Sequence, residues 1–322
     1  MILCVGLNPA LDRRIVLDEL RLGHVNRARE SMAFAGGKAA HVAVAARALG
    51  QPVTWLGFLG GRTGQTCRDD LERLGIACEV VDVPGETRTN LELLSESGIT
   101  EVLEPGAPLP EGAFDELARR FSALLPHVRP QAVAISGSLP AGLSRDACAK
   151  LALAARAHAC AVAVDTSGLA LELAVAAAPD LVKPNEHEAE QLLRSFAASH
   201  LVGSSPRGFG HDRAAAALAA RAITERGPRT AIVSLGAQGF VVAAEGSLHH
   251  VLAPEVEVLS TVGCGDALVA GWCVARAQGL PHEQSLRLSA ACAAANCRAL
   301  APGQIRAEAV AQLVERVVIR RL

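Results

Sequence analysis

Residues 132–165 read AVAISGSLPAGLSRDACAKLALAARAHACAVAVD, and their rhythm decides the fold class. The runs AVAIS (132–136) and AVAVD (161–165) are apolar, too short for a helix, and stop at Ser and Asp. Between them, residues 144–158 are rich in Ala and Leu over a helical length. A strand that is apolar at nearly every position is covered on both faces, and a helix between two such strands joins parallel neighbours. The same alternation runs along the chain. ILCVGL (2–7), VTWLGF (53–58), DLVKP (180–184) and TAIVSLG (230–236) read as strands, and 37–49, 63–74, 111–125, 186–197 and 212–225 read as helices. The expected fold is α/β, three layers with a mostly parallel central sheet. Ligands in such sheets sit beyond the carboxyl ends of the strands, so the loops there are where chemistry is sought.

Two stretches break the rhythm. Residues 11–33 alternate charged and apolar residues, and 87–104 read as two strands joined by a Ser-Glu-Ser-Gly turn. Together they predict a small sheet outside the main one, placed as a lid over the strand ends. The Gly/Ser/Pro-rich stretch 198–212 reads as a surface loop. With no interdomain linker, the expectation is a single domain, 1–322, plus that lid. A net charge of −2 with dispersed basic residues argues against nucleic acid or an anionic membrane as partner. The N-terminus has no basic region and meets Asn8 and Pro9 early, and no apolar run reaches spanning length. Nine cysteines without CxxC or metal-ligand spacing read as reduced thiols, which predicts a cytoplasmic protein.

Three segments carry candidate chemistry. In TVGCGDALVAGW (261–272), Gly263 and Gly265 free the backbone where an apolar helix starts, so N–H groups can converge on an anion. Asp266 follows in the first turn, close enough to take a proton from a hydroxyl held there, the pairing that phosphoryl transfer to an alcohol needs. The plainer alternative is a helix-start aspartate favoured by the macrodipole. In LVKPNEHEAEQLL (181–193), Asn185 and Glu188 have capping-box spacing, and the same amide and carboxylate could hold a hydrated Mg²⁺. In FAGGKAAHVAVAARALG (34–50), Gly36, Gly37 and Lys38 open a long helix without a Walker or GxGxxG pattern, and the glycines suit tight helix–sheet packing.

Taken in order, these features resemble the PfkB (ribokinase-like) family of sugar kinases over nearly the whole chain. The motifs are LNPALD (7–12), GHVNRA (23–28), GGK (36–38), GFLGGRTG (57–64), TRTN (87–90), SGSLPAG (136–142), VKPNEHE (182–188), VSLGAQG (233–239) and TVGCGDALVAG (261–271). The similarity is greatest to the phosphofructokinase and tagatose-6-phosphate kinase branch. It implies a ribokinase-like fold and an ATP- and Mg²⁺-dependent kinase. Asp266 would be the catalytic base, and the amides of Gly263, Cys264 and Gly265 the anion hole. Asn185 and Glu188 would position Mg²⁺, and Lys183, Asn185, Ser234, Gly236 and Asn296 would lie along the nucleotide. Asp12 would grip sugar hydroxyls and Gly37 would admit the sugar, while Arg27, Lys38, Arg88 and Ser138 would contact a substrate phosphate. A homodimer through the lid sheet is implied by analogy.

The branch normally reads GGKG-x-N-V, whereas this chain has Ala39 and His41 in place of Gly and Asn. The imidazole of His41 could still donate to phosphate. The expected acceptor is a phosphorylated ketohexose, fructose 1-phosphate first, with fructose 6-phosphate and tagatose 6-phosphate as alternatives. A kinase of an unphosphorylated sugar or nucleoside, and a sugar-phosphate sensor without turnover, are the rival readings. Cys264, where the family usually has Ala, raises the further question of a modifiable thiol at the anion hole.

Overall fold

The computed structural model describes residues 1–198 and 212–322. The stretch read as a surface loop, 198–212, lies outside the described residues but for its two end positions. Elements follow in chain order: β1 (Ile2–Gly6), β2 (Ala10–Val16), β3 (Glu30–Gly36), α1 (Lys38–Ala48), β4 (Val53–Leu59), α2 (Gly61–Arg73), β5 (Ala77–Asp82), β6 (Thr89–Ser95) and β7 (Gly98–Leu103). Then come α3 (Ala113–Val128), β8 (Ala132–Ser136), α4 (Ala147–Ala157), β9 (Ala161–Asp165), α5 (Gly168–Ala176), β10 (Leu181–Val182), α6 (Glu186–Ala198) and α7 (Arg213–Thr224). The C-terminal part holds β11 (Thr230–Ser234), β12 (Phe240–Ala244), β13 (Ser247–Leu252), α8 (Cys264–Ala277), α9 (His282–Asn296), α10 (Ala307–Val314) and β14 (Val318–Arg321).

Ten strands form the main sheet in the order β14-β13-β12-β11-β10-β9-β8-β1-β4-β5. From β11 to β5 every pair is parallel, and the edge β12–β13–β14 is antiparallel. Along β1 the side chains alternate between two buried layers. Ile2 and Cys4 join the core under α1, α8 and α9, while Leu3 and Val5 join the core under α3 and α4. Both sets are fully buried, which is why the strand is apolar at consecutive positions. Helix α1 is buried from Ala39 through Ala46, all round, because it lies between the sheet and α8.

The expected α/β fold with its mostly parallel sheet is what forms. The expectation had no antiparallel edge, no β5 and no α5. A second sheet has the order β3-β2-β6-β7, antiparallel except for the parallel β2–β6 pair. It is tied to the main body by a buried ion pair. Arg14 on β2 meets Glu92 on β6 (Nε–Oε2 2.5 Å), donates to the Leu300 carbonyl, and Ser260 Oγ donates to Glu92 Oε1 at 3.0 Å. No described helix is long and apolar enough to cross a membrane.

Candidate active site

A cavity of about 480 Å³ opens at the carboxyl end of the parallel strands, between the two sheets. Its wall includes Asp12, Lys38, His41, Arg88, Ser138, Lys183, Asn185, Glu188, Ser234, Gly263, Gly265 and Asp266. Residues from the three chemistry-bearing segments therefore converge on one space, as topology requires of βα loops on one sheet edge.

Gly263 caps α8 with φ 79°, a left-handed conformation, and a Cβ there would sit 2.6 Å from Cβ of Pro302. This turn aims the helix start at the cavity. The N–H groups of Gly263, Gly265 and Asp266 have no protein acceptor among the described residues, and the buried Asp266 carboxylate lies beside them. The Cys264 amide, assigned to the anion hole above, instead donates to the Thr261 carbonyl at 3.3 Å. The amides left free at this turn are therefore those of Gly263, Gly265 and Asp266. The thiol of Cys264 points away to Cys297, with 3.3 Å between the sulfurs.

Across the cavity from Asp266, Asp12 Oδ1 accepts from Asn90 Nδ2 at 2.8 Å. A Cβ on Gly36 would stand 2.1 Å from Cγ of Asp12, so that glycine makes room for the carboxylate as well as for packing. Gly37, the cap of α1 at φ 84°, lines the same wall. His41 departs from the expected role of phosphate donor. Its Nε2 is 2.8 Å from Asp12 Oδ2 and its Nδ1 is 2.8 Å from Asp266 Oδ2, so both ring nitrogens are already committed.

The floor holds a charge cluster that the sequence reading passed over. Asp165, fully buried at the end of β9, binds Lys38 Nζ at 2.9 Å and Lys183 Nζ at 3.2 Å. Burial alone would raise its pKa, but the ammonium groups of Lys183 and Lys38 outweigh that and hold it below the ordinary aspartate value. Burial likewise opposes the charge on Lys38, and the carboxylates of Asp165, Asp266 and Glu188 reverse this and raise it. The terminal Asp of AVAVD was the one available signal, being polar at a strand's carboxyl edge.

The cationic residues do not all gather. Arg88 reaches the wall, held by the carbonyls of Asn8 (3.0 Å), Glu104 (3.0 Å) and Pro9 (3.3 Å). Arg27 does not: it is exposed on the chain between β2 and β3 and lies outside the cavity wall, so its charge is solvated. Ser138 Oγ accepts from Asn8 Nδ2 at 3.0 Å.

On the nucleotide side, Ser234 lines the cavity, whereas Gly236 starts a short 3₁₀ turn off the wall. Asn296 is buried and both ends of its amide are spent on backbone. It donates to the Val262 carbonyl (2.8 Å) and accepts from Gly303 N–H (2.8 Å), so it braces the glycine turn and lies off the cavity wall. Asn185 and Glu188 form a reciprocal capping box, Asn185 N–H to Glu188 Oε2 at 2.9 Å and Glu188 N–H to Asn185 Oδ1 at 2.8 Å.

A buried carboxylate beside unpaired amides at a helix start, with lysines across a cavity between two sheets, is an arrangement suited to phosphoryl transfer to a small molecule. The sequence matches the pfkB family carbohydrate kinase model over residues 1–305, and the chain belongs to that family. A 1-phosphofructokinase of Rhodobacter capsulatus is 33% identical over 320 residues, covering 99% of this chain and 97% of that protein. A 1-phosphofructokinase of Xanthomonas campestris is 36% identical over 294 residues, 89% of this chain and 88% of its own. Among solved structures, phosphofructokinase-2 of Escherichia coli in complex with fructose-6-phosphate superposes with a TM-score of 0.83. It is 26% identical and covers 98% of each chain.

Proposed function

We propose that this protein transfers the γ-phosphoryl group of ATP to a hydroxyl of fructose 1-phosphate. The observation that carries the reading is the placement of Asp266, buried at the start of α8 beside the unpaired amides of Gly263, Gly265 and its own N–H. As the sugar oxygen bonds to phosphorus and the bridging oxygen leaves with ADP, the hydroxyl proton passes to Asp266. The amides and Lys183, held by Asp165, meet the negative charge of the phosphoryl group in transit. Arg88 and Lys38 supply cations for the phosphate already on the sugar, a role supported by the names of the relatives above. The sheet β3-β2-β6-β7 acts as the lid, with Asp12 and Asn90 on its inner strands.

Mg²⁺ suits the residues present. Glu188 lines the cavity with its Oε1 outside the capping box, and no cluster of three or more His, Cys, Asp or Glu able to cage a metal occurs among the described residues. That is the donor set of an ion that keeps its waters and leans on substrate phosphates, and it would neutralise phosphate charge there. Asn185 and Glu188 would hold it.

The test is a panel of sugar phosphates with ATP and Mg²⁺, with the product position assigned by NMR. Turnover of fructose 1-phosphate to the 1,6-bisphosphate is expected, and activity confined to neutral sugars or nucleosides would overturn the reading. Asp266→Asn is expected to lower kcat by about 10²–10⁴-fold, the range typical of a lost general base, while ligand binding persists. Near-normal turnover in that variant would remove the mechanism, and binding without any turnover in the wild type would favour the sensor.

A further inference from the structure

His41 stands between the two carboxylates of the site, on the inner face of α1, and is 4% exposed. Each ring nitrogen lies 2.8 Å from an oxygen of a different aspartate. An ionised carboxylate only accepts, and a neutral imidazole has one N–H to give. Two such contacts are both hydrogen bonds only when the ring is the imidazolium, donating from both sides. Burial disfavours that charge, but hydrogen bonds and charges from Asp12 and Asp266 outweigh it and push the ring's pKa up to about 10. The other charged groups around it are Lys38 on its own helix, Arg88 at the Asp12 end, and Glu101 from β7. Asp12 is itself pinned by Asn90, so the ring has one place to sit.

We infer that His41 is a positioning residue for phosphoryl transfer: a fixed positive bridge that orients Asp266 through Oδ2 and leaves Oδ1 for the substrate hydroxyl. This rests on Asp266 being the base. The bridge also couples the carboxylate on the lid side, Asp12, to the one on the main body, Asp266. The proton that moves is the hydroxyl proton, onto Asp266, and the two ring protons stay in place.

The first test is His41→Asn, which restores the residue usual at this position and removes the charge. With the donor that orients the base carboxylate lost, kcat should fall roughly 10-fold or more while KM for both substrates stays within about two-fold. An unchanged kcat, or a fall in kcat matched by a comparable rise in KM as a loosened fold would give, overturns the inference. A second measurement uses the wild type and depends on no variant: ¹⁵N shifts of the His41 ring at pH 8. Two protonated nitrogens are expected, and a neutral tautomer overturns the inference. Asp266→Asn separates the two readings, because turnover surviving in it sinks the base itself, whereas an unchanged kcat in His41→Asn sinks only the bridge.

A second inference rests on sulfur. Cys264 at the start of α8 and Cys297 just after α9 bring their sulfurs to 3.3 Å, and both residues are half-buried. The hydrogen bond from Cys264 holds the Cys297 thiol down to about 7, against burial. We propose that the pair is an oxidation site closing to an intrachain disulfide under a small-molecule disulfide such as oxidised glutathione. The Cys297 thiolate attacks one sulfur of the oxidant and expels a thiolate. The Cys264 thiol then attacks the mixed disulfide and expels the second, so two protein thiols are oxidised and one disulfide is reduced to two thiols. A bond of about 2.05 Å draws the sulfurs together by more than an ångström and pulls on the glycine turn. Peptide mapping without reductant should find the 264–297 link together with activity loss reversed by dithiothreitol. Cys297→Ser should keep its activity under the same oxidant. A link that forms without activity loss, activity loss without the link, or equal loss in Cys297→Ser, each overturns this.

Discussion

Asp165 carries more of the site's electrostatics than its place in the sequence suggests. It is fully buried and answers two lysines, so the cluster keeps a net positive charge on the cavity floor. Removing Lys38 leaves Asp165 paired to Lys183. Lys38→Met is therefore expected to fold and to raise KM for the sugar phosphate by about 10–100-fold, the worth of one charge-assisted hydrogen bond. Asp165→Asn leaves the buried Lys183 ammonium without its ion-pair partner, while Lys38 keeps the nearby carboxylates of Asp266 and Glu188, and should cost about 3–5 kcal/mol of stability, read from urea midpoints. The folded-state pKa of Asp165 is lowered. Its stabilising contribution is thus present above the unfolded value near 3.9 and is lost as pH falls below it, so the wild type should lose more stability than Asp165→Asn does as pH drops below about 4. Asp266, Asp12 and Lys38 were legible as residues because each stands in a short motif. Asp165 was not, since its partner Lys38 lies 127 positions away and only the fold brings the two together.

At the scale of elements, two joints determine the shape of the cavity. The first is the turn into α8. Gly263→Ala would place a Cβ against Pro302 at a left-handed φ, at a cost of about 1–3 kcal/mol in strain. The more telling effect is on kcat, which should fall because the unpaired amides lose their aim while the melting point drops only modestly. The second joint is Arg14–Glu92, which fastens β2 and β6 to Ser260, just before that turn, and to Leu300, beyond α9. Glu92→Gln should lower the urea midpoint and raise KM together, because it loosens the lid and the glycine turn at once. The strands of the parallel region were readable because burial on two faces leaves near-continuous apolar runs. The β12–β13 hairpin has no counterpart in the sequence reading, although its Glu245–Gly246 turn was in view, because antiparallel edge strands carry no strand–helix alternation to mark them.

For the whole molecule, the outer strand of the second sheet leaves Val102 and Leu103 49% and 60% exposed, and Leu22 and Val25 on the β2–β3 connection are more exposed still. We propose that this face meets its copy in a homodimer, as the family resemblance implies. Sedimentation at micromolar concentration should give a dimer, and Val102→Glu should return it to monomer; a wild-type monomer would remove the claim. The sequence by itself determined the layered α/β architecture, the strand-end loops and the residue types that do chemistry there, because burial, turn geometry and capping act over a few neighbours. Only the tertiary structure decided which of those residues meet. It put Arg27 in solvent, turned Asn296 inward as a brace, set Lys38 and Lys183 on one carboxylate, and made His41 the bridge between Asp12 and Asp266. Contacts of that kind depend on charges far apart in sequence sharing a buried, low-dielectric space, a condition that no local pattern encodes.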